Sequence, residues 1–117
     1  MLSLILSLLV AALHLWFLIV EMFFWQTPRT RTAFGTTEEF AAATRVLAAN
    51  QGLYNGFLAA GILFSLWLGE SGRPSLTFFL ACVVVAGLYG AATANGRILF
   101  VQAVPGALAL GAALMRV

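Results

Sequence analysis

Four long apolar runs constrain this chain more than any other feature. They cover approximately residues 2–25, 47–68, 76–94 and 98–115. A hydrocarbon core is crossed by about 20 helical residues, and each run has that length or nearly so. Lipid offers no partners to backbone N–H and C=O groups, so an open strand cannot cross it, and four runs cannot close a barrel. The runs therefore predict helices. Charged residues make up 9% of the chain, against about 25% in an ordinary soluble domain, too few to clothe a globular surface. The expected fold class is all-α integral membrane: a four-transmembrane-helix bundle forming one domain over residues 1–117, with helices at approximately 2–25, 37–68, 75–94 and 98–116.

Composition also narrows function. A formal charge of +2, from six arginines and four glutamates, is too small to suggest nucleic-acid binding. Cys82 is the only cysteine, which removes disulfide frameworks and multi-cysteine metal sites. The first run lacks a basic flank and is longer than the roughly 7–15 apolar residues of a signal peptide, so it is expected to stay as a helix.

The connections are unequal. Residues 69–74 and 95–97 make short polar turns, whereas residues 26–44 form a long linker. Pro28 interrupts the first helix, and Gly35 ends the linker. Thr36 and Glu39 then read as a capping box, so the second helix is expected to begin in water, extended into the cytoplasm. Arg29, Arg31, Arg45 and Arg97 fall on one side of the predicted bundle, Arg73 and Arg116 on the other. The arginine bias puts the linker in the cytoplasm and both termini outside, in a bacterial inner (plasma) membrane. Small residues repeat at four-residue spacing: Gly52, Gly56 and Ala60, then Ala86 and Gly90, then Ala107 and Gly111. Such stripes let helix backbones approach closely in lipid, within one bundle or between subunits.

Within the first run Glu21 stands out, with His14 the nearest other strongly polar group. Seven residues are almost two helical turns, so both lie on one face, about 10 Å apart along the axis. A carboxylate at membrane depth costs roughly 3 kcal/mol when lipid-exposed, so Glu21 is expected to face protein or water. The second helix carries Asn50, Gln51, Tyr54 and Asn55; the third adds Tyr89 and the fourth Gln102. These groups, with Arg31 and Arg97 at the cytoplasmic rim, read either as interhelical hydrogen-bonding glue or as a polar pocket. Glu21 itself could equally form a structural ion pair with Arg45 or Arg97. Two ligands seven residues apart suit no common metal site, and no cofactor follows from the residues.

Taken together, the pattern around His14 and Glu21, the run Leu47-Ala48-Ala49-Asn50-Gln51-Gly52-Leu53-Tyr54-Asn55-Gly56 and the run Ala86-Gly87-Leu88-Tyr89-Gly90-Ala91-Ala92 resemble the bacterial family called domain of unknown function 1304. That resemblance implies a small membrane protein and supplies no activity. In layout the chain is also similar to the MAPEG proteins, the membrane-associated enzymes of eicosanoid and glutathione metabolism. The shared features are four helices, a long first linker, the segment Arg31-Thr32-Ala33-Phe34, Tyr89 before Arg97, and Gln102 before Pro105. This likeness implies a trimer with sites between subunits, glutathione as cofactor, and Arg97 and Tyr89 as catalytic candidates beside Glu21. The family's second-helix Arg, Asn and Glu fall here on Ala48, Gly52 and Asn55.

The leading expectation is a small polytopic membrane protein with an intramembrane polar pocket for an amphipathic or lipid-like molecule. Its partners are expected to be membrane lipids and further copies of itself, a trimer if MAPEG-like and a dimer next, with no nucleic acid. A glutathione-dependent transferase, a proton-coupled small-molecule exporter and a structural or accessory membrane protein are the alternatives.

Overall fold

The computed structural model describes all 117 residues and is helical throughout. Its α-helices are α1 (Leu2–Phe23), α2 (Pro28–Phe34), α3 (Glu38–Ala43), α4 (Arg45–Trp67), α5 (Arg73–Thr93) and α6 (Val104–Leu114). A 3-10 turn at Gly69–Gly72 precedes α5, and a π-helical segment at Leu99–Ala103 leads into α6. Two stretches, Leu2–Phe23 and Gly69–Thr93, are long and apolar enough to cross a membrane; Leu99–Leu114 is apolar but shorter. The α4 helix has 23 residues, but Asn50, Gln51 and Asn55 dilute its apolar character.

The long linker differs from its expected form. Pro28 does not merely stop α1: it sits in the first turn of α2, where its missing N–H would have had no helical partner anyway. The Thr27 hydroxyl caps that helix by accepting from the Thr30 N–H at 3.4 Å. Gly35 closes it in the left-handed conformation (φ 68°), its N–H donating to the Arg31 carbonyl, a geometry that favours glycine. The cap of α3 is Thr37, whose hydroxyl accepts from the Phe40 N–H at 3.1 Å; the expected cap at Thr36 is off by one residue. Glu38 and Glu39 lie in the first turn, where the helix dipole favours them. The single long second helix is also broken, at Thr44, into α3 and α4.

The chain divides into two compact units: Met1–Ala12 with Leu58–Val117, and Leu13–Phe57. The core of the first contains Val10, Ala11, Ala59, Ile62, Leu80, Val83, Ala109 and Ala113. Helix α5 meets the π segment where Gly87 faces Ala103: a β-carbon at Gly87 would stand 2.7 Å from Ala103 Cα. The π segment precedes Pro105, which lacks an N–H to continue an α ladder; the Val104 N–H reaches back five residues to Leu99 O instead. The α4–α5 turn is held by Glu70, which pairs with Arg73 at 3.0 Å and Arg116 at 2.9 Å. Arg73 also donates to Ala113 O at 2.7 Å.

Of the small-residue stripes, Gly52 and Gly56 approach α1, but Ala59 rather than Ala60 continues into the core. In the third helix Gly87 makes the closest approach, and Gly111 in the fourth has no neighbour that a β-carbon would meet. The core is apolar, but a few polar side chains share the interior and many large apolar ones lie on the surface. Ser7, His14, Asn55 and Ser65 are buried, while Trp16, Phe57, Phe64, Trp67, Phe78, Val85 and Phe100 are exposed.

Two glycines on facing fates give a test. Gly87→Ala should lower stability by about 1–3 kcal/mol, because overpacking forces backbone shifts. Gly111→Ala should be neutral or stabilise by up to about 1 kcal/mol through helix propensity. Reversible unfolding in detergent measures both, and an equal loss at the two positions would contradict the packing described.

Candidate functional site

The site is built within the second unit, on α1 and the first half of α4. Gly52 removes the side chain that would keep these helices apart. A β-carbon there would stand 2.9 Å from Met22 Cγ, 3.1 Å from Glu21 Cβ and 3.2 Å from Leu18 O. One turn later Gly56 lies against the Leu18 side chain, so the helices run antiparallel at this contact. Asn55 is three residues beyond Gly52 and shares its face. Its side-chain amide donates to Glu21 Oε1 at 2.6 Å. Asn55 is buried and Glu21 half-buried, so the carboxylate is held by a neutral amide. Within this unit the expected alternative of an ion pair with Arg45 is not formed: both ion pairs in the chain belong to Glu70.

His14 is fully buried, as its place on the Glu21 side of α1 suggests, and packs edge-on to Phe17 with ring centroids 5.3 Å apart. Asn50 is exposed and donates to Val46 O of its own helix at 2.9 Å. Gln51 is exposed, and Tyr54 is exposed with its ring edge-on to Phe57 at 5.9 Å. Arg31 donates to Gln26 O at 3.2 Å, tying α2 back to the end of α1. Tyr89 and Arg97 are exposed and Gln102 is partly buried, all in the first unit. Among the polar residues singled out from the sequence, Glu21 and Asn55 are joined by a direct side-chain hydrogen bond.

A second feature was not expected from the sequence. Just past Glu21, an open cleft of about 270 Å³ is lined by Met22, Phe23, Trp25, Gln26, Thr27 and Arg45. Its wall is fixed by Trp25, whose indole N–H donates to Thr44 Oγ1 at 3.0 Å and whose ring meets Phe34 edge-on at 5.1 Å. Thr44 Oγ1 in turn donates to Phe40 O at 2.7 Å. One side chain therefore joins the end of α1 to the break between α3 and α4, and sets where Arg45 begins. The available signal was the tryptophan at the end of an apolar run, a usual place for an interfacial anchor.

Glu21 and Asn55 offer a hydrogen-bonding site among apolar neighbours, and the cleft offers aromatic surface beside a guanidinium. No group of three or more His, Cys, Asp or Glu side chains is placed to hold a metal ion.

The family described as "Protein of unknown function (DUF1304)" matches residues 8–114. The chain belongs to that family. The match includes Glu21, Asn55 and the whole lining of the cleft. The chain is also 30% identical over 103 residues to "Uncharacterized protein YpaA" of Lactococcus lactis subsp. lactis (strain IL1403), covering 86% of this chain and 87% of that protein. No solved structure matches.

The Glu21–Asn55 bond should register as a coupling. In a double-mutant cycle of Glu21→Leu and Asn55→Leu, unfolding in detergent should give an interaction energy of about 1–2 kcal/mol, at the upper end for polar pairs in membrane proteins. Strict additivity would mean that the bond does not hold α4 to α1.

Proposed function

We propose that this DUF1304 protein is a small polytopic membrane protein that binds an amphipathic or lipid-like molecule at a polar site around Glu21. The supporting observation is the Glu21–Asn55 hydrogen bond, a carboxylate held by an amide in a largely apolar helix. Membrane-embedded ionisable groups mark ligand or ion sites by default. The exposed apolar surface supports the surrounding reading. Large aliphatic and aromatic side chains on α1, α4, α5 and α6 face outward, as lipid-facing surface does and as soluble monomers rarely do.

On this reading all four long helical stretches cross the bilayer. The less apolar α4 has one of its polar groups, Asn55, covered by the approach to α1. The α2–α3 linker lies on the cytoplasmic side of a bacterial plasma membrane with the termini outside. Arg29, Arg31 and Arg45 are three arginines on the linker side, against Arg73 and Arg116, which share Glu70, on the other. A homo-oligomer suits the exposed Ala86, Ala107 and Leu108 and the unpacked Gly111.

The test is unfolding of the purified protein in neutral detergent as a bacterial polar-lipid extract is titrated in. Wild-type protein should gain stability saturably, and Glu21→Gln should lose at least half of that gain while retaining its helical content. An undiminished gain in Glu21→Gln would reject the Glu21 site and leave the polar side chains as packing glue.

A further inference from the structure

We propose that the cleft at the end of α1 is a headgroup site for an anionic phospholipid, with the Arg45 guanidinium on the phosphate and the Met22, Phe23 and Trp25 side chains along the start of the acyl chains. The cleft is amphipathic in the right sense: three apolar side chains line it together with Gln26, Thr27 and Arg45. Both ion pairs of the chain are made at Glu70, so the exposed Arg45 reaches the cleft without a carboxylate partner. Arginine suits phosphate because its planar fork can donate two parallel hydrogen bonds.

Size and construction point the same way. A volume of about 270 Å³ is at the lower limit of small-molecule pockets, roughly 300–1,000 Å³, so it admits a headgroup and the first part of a chain rather than a whole lipid. The open side leaves the rest of the tail against Phe23, which is 68% exposed. Trp25 is braced by Thr44 and Phe34, and Arg45 follows Thr44 directly, so wall and cation are positioned by one hydrogen bond. Charge complementarity commits the occupant to an anionic rather than a zwitterionic headgroup.

This inference rests on the lipid-binding reading above but on different residues, so the two fail separately. The full-length protein in neutral detergent is titrated with dioctanoyl phosphatidylglycerol, dioctanoyl phosphatidylcholine and inorganic phosphate, following Trp fluorescence and the unfolding midpoint. Phosphatidylglycerol should bind saturably, about tenfold more tightly than phosphatidylcholine, and inorganic phosphate should neither shift the midpoint nor compete. Arg45→Ala should weaken phosphatidylglycerol about tenfold and abolish the headgroup preference, whereas Arg45→Lys should keep the preference in part. Glu21→Gln should leave that preference intact. Equal affinities for the two lipids, an unchanged preference in Arg45→Ala, or a response to inorganic phosphate alone would each overturn the headgroup site. Should Arg45→Ala fail to fold, Arg45→Lys and Arg45→Gln carry the comparison.

Discussion

The approach of α4 to α1 at Gly52 is the contact on which the candidate site depends. With no side chain at that position, α4 comes so near α1 that a β-carbon would crowd Met22, Glu21 and the Leu18 carbonyl. Asn55 can then place its amide on the Glu21 carboxylate. Moving the helices apart by a methyl group would leave both polar groups stranded among apolar neighbours, at about 1–3 kcal/mol for each unsatisfied group. A glycine and a hydrogen bond three residues apart thus form one unit: the first permits the approach, and the second gives it a preferred register.

The linker follows a similar logic with other residues. Thr27, Pro28 and Gly35 define α2 by a hydroxyl cap, a proline where no N–H is needed, and a left-handed end. Trp25 then reaches across to Thr44. Short helices of this length are marginal alone, so these caps and the indole bond account for a folded linker where a loop would otherwise be expected.

Much of this organisation was legible in the chain. The apolar runs announce the long helices, and Glu21 is conspicuous because nothing around it is charged. The spacing of Gly52 and Gly56 marks the close approach, although only three dimensions select Asn55 over Asn50 as the partner of Glu21. The two asparagines differ by five residues, or 140° around a helix, and single-sequence periodicity does not say which face meets α1. The misplaced cap has a comparable cause. Thr36 and Thr37 are adjacent and equally able to cap, and Glu39 favoured the wrong one. Pro28 was legible as a break but equally compatible with a helix start, which is why α2 was not foreseen. The π segment before Pro105 has no periodic signature of its own.

The Glu21–Asn55 bond joins residues 34 apart in sequence, and this separation bears on biogenesis. On the membrane reading, α1 leaves the ribosome before its partner has been synthesised. At that stage the carboxylate has no amide to accept from, so α1, although apolar enough to enter hydrocarbon alone, would carry Glu21 in without its partner. The folded linker returns the chain to the bilayer surface with α4 antiparallel to α1. The pair then suits integration as a hairpin, in which the polar partners enter together and each shields the other from lipid.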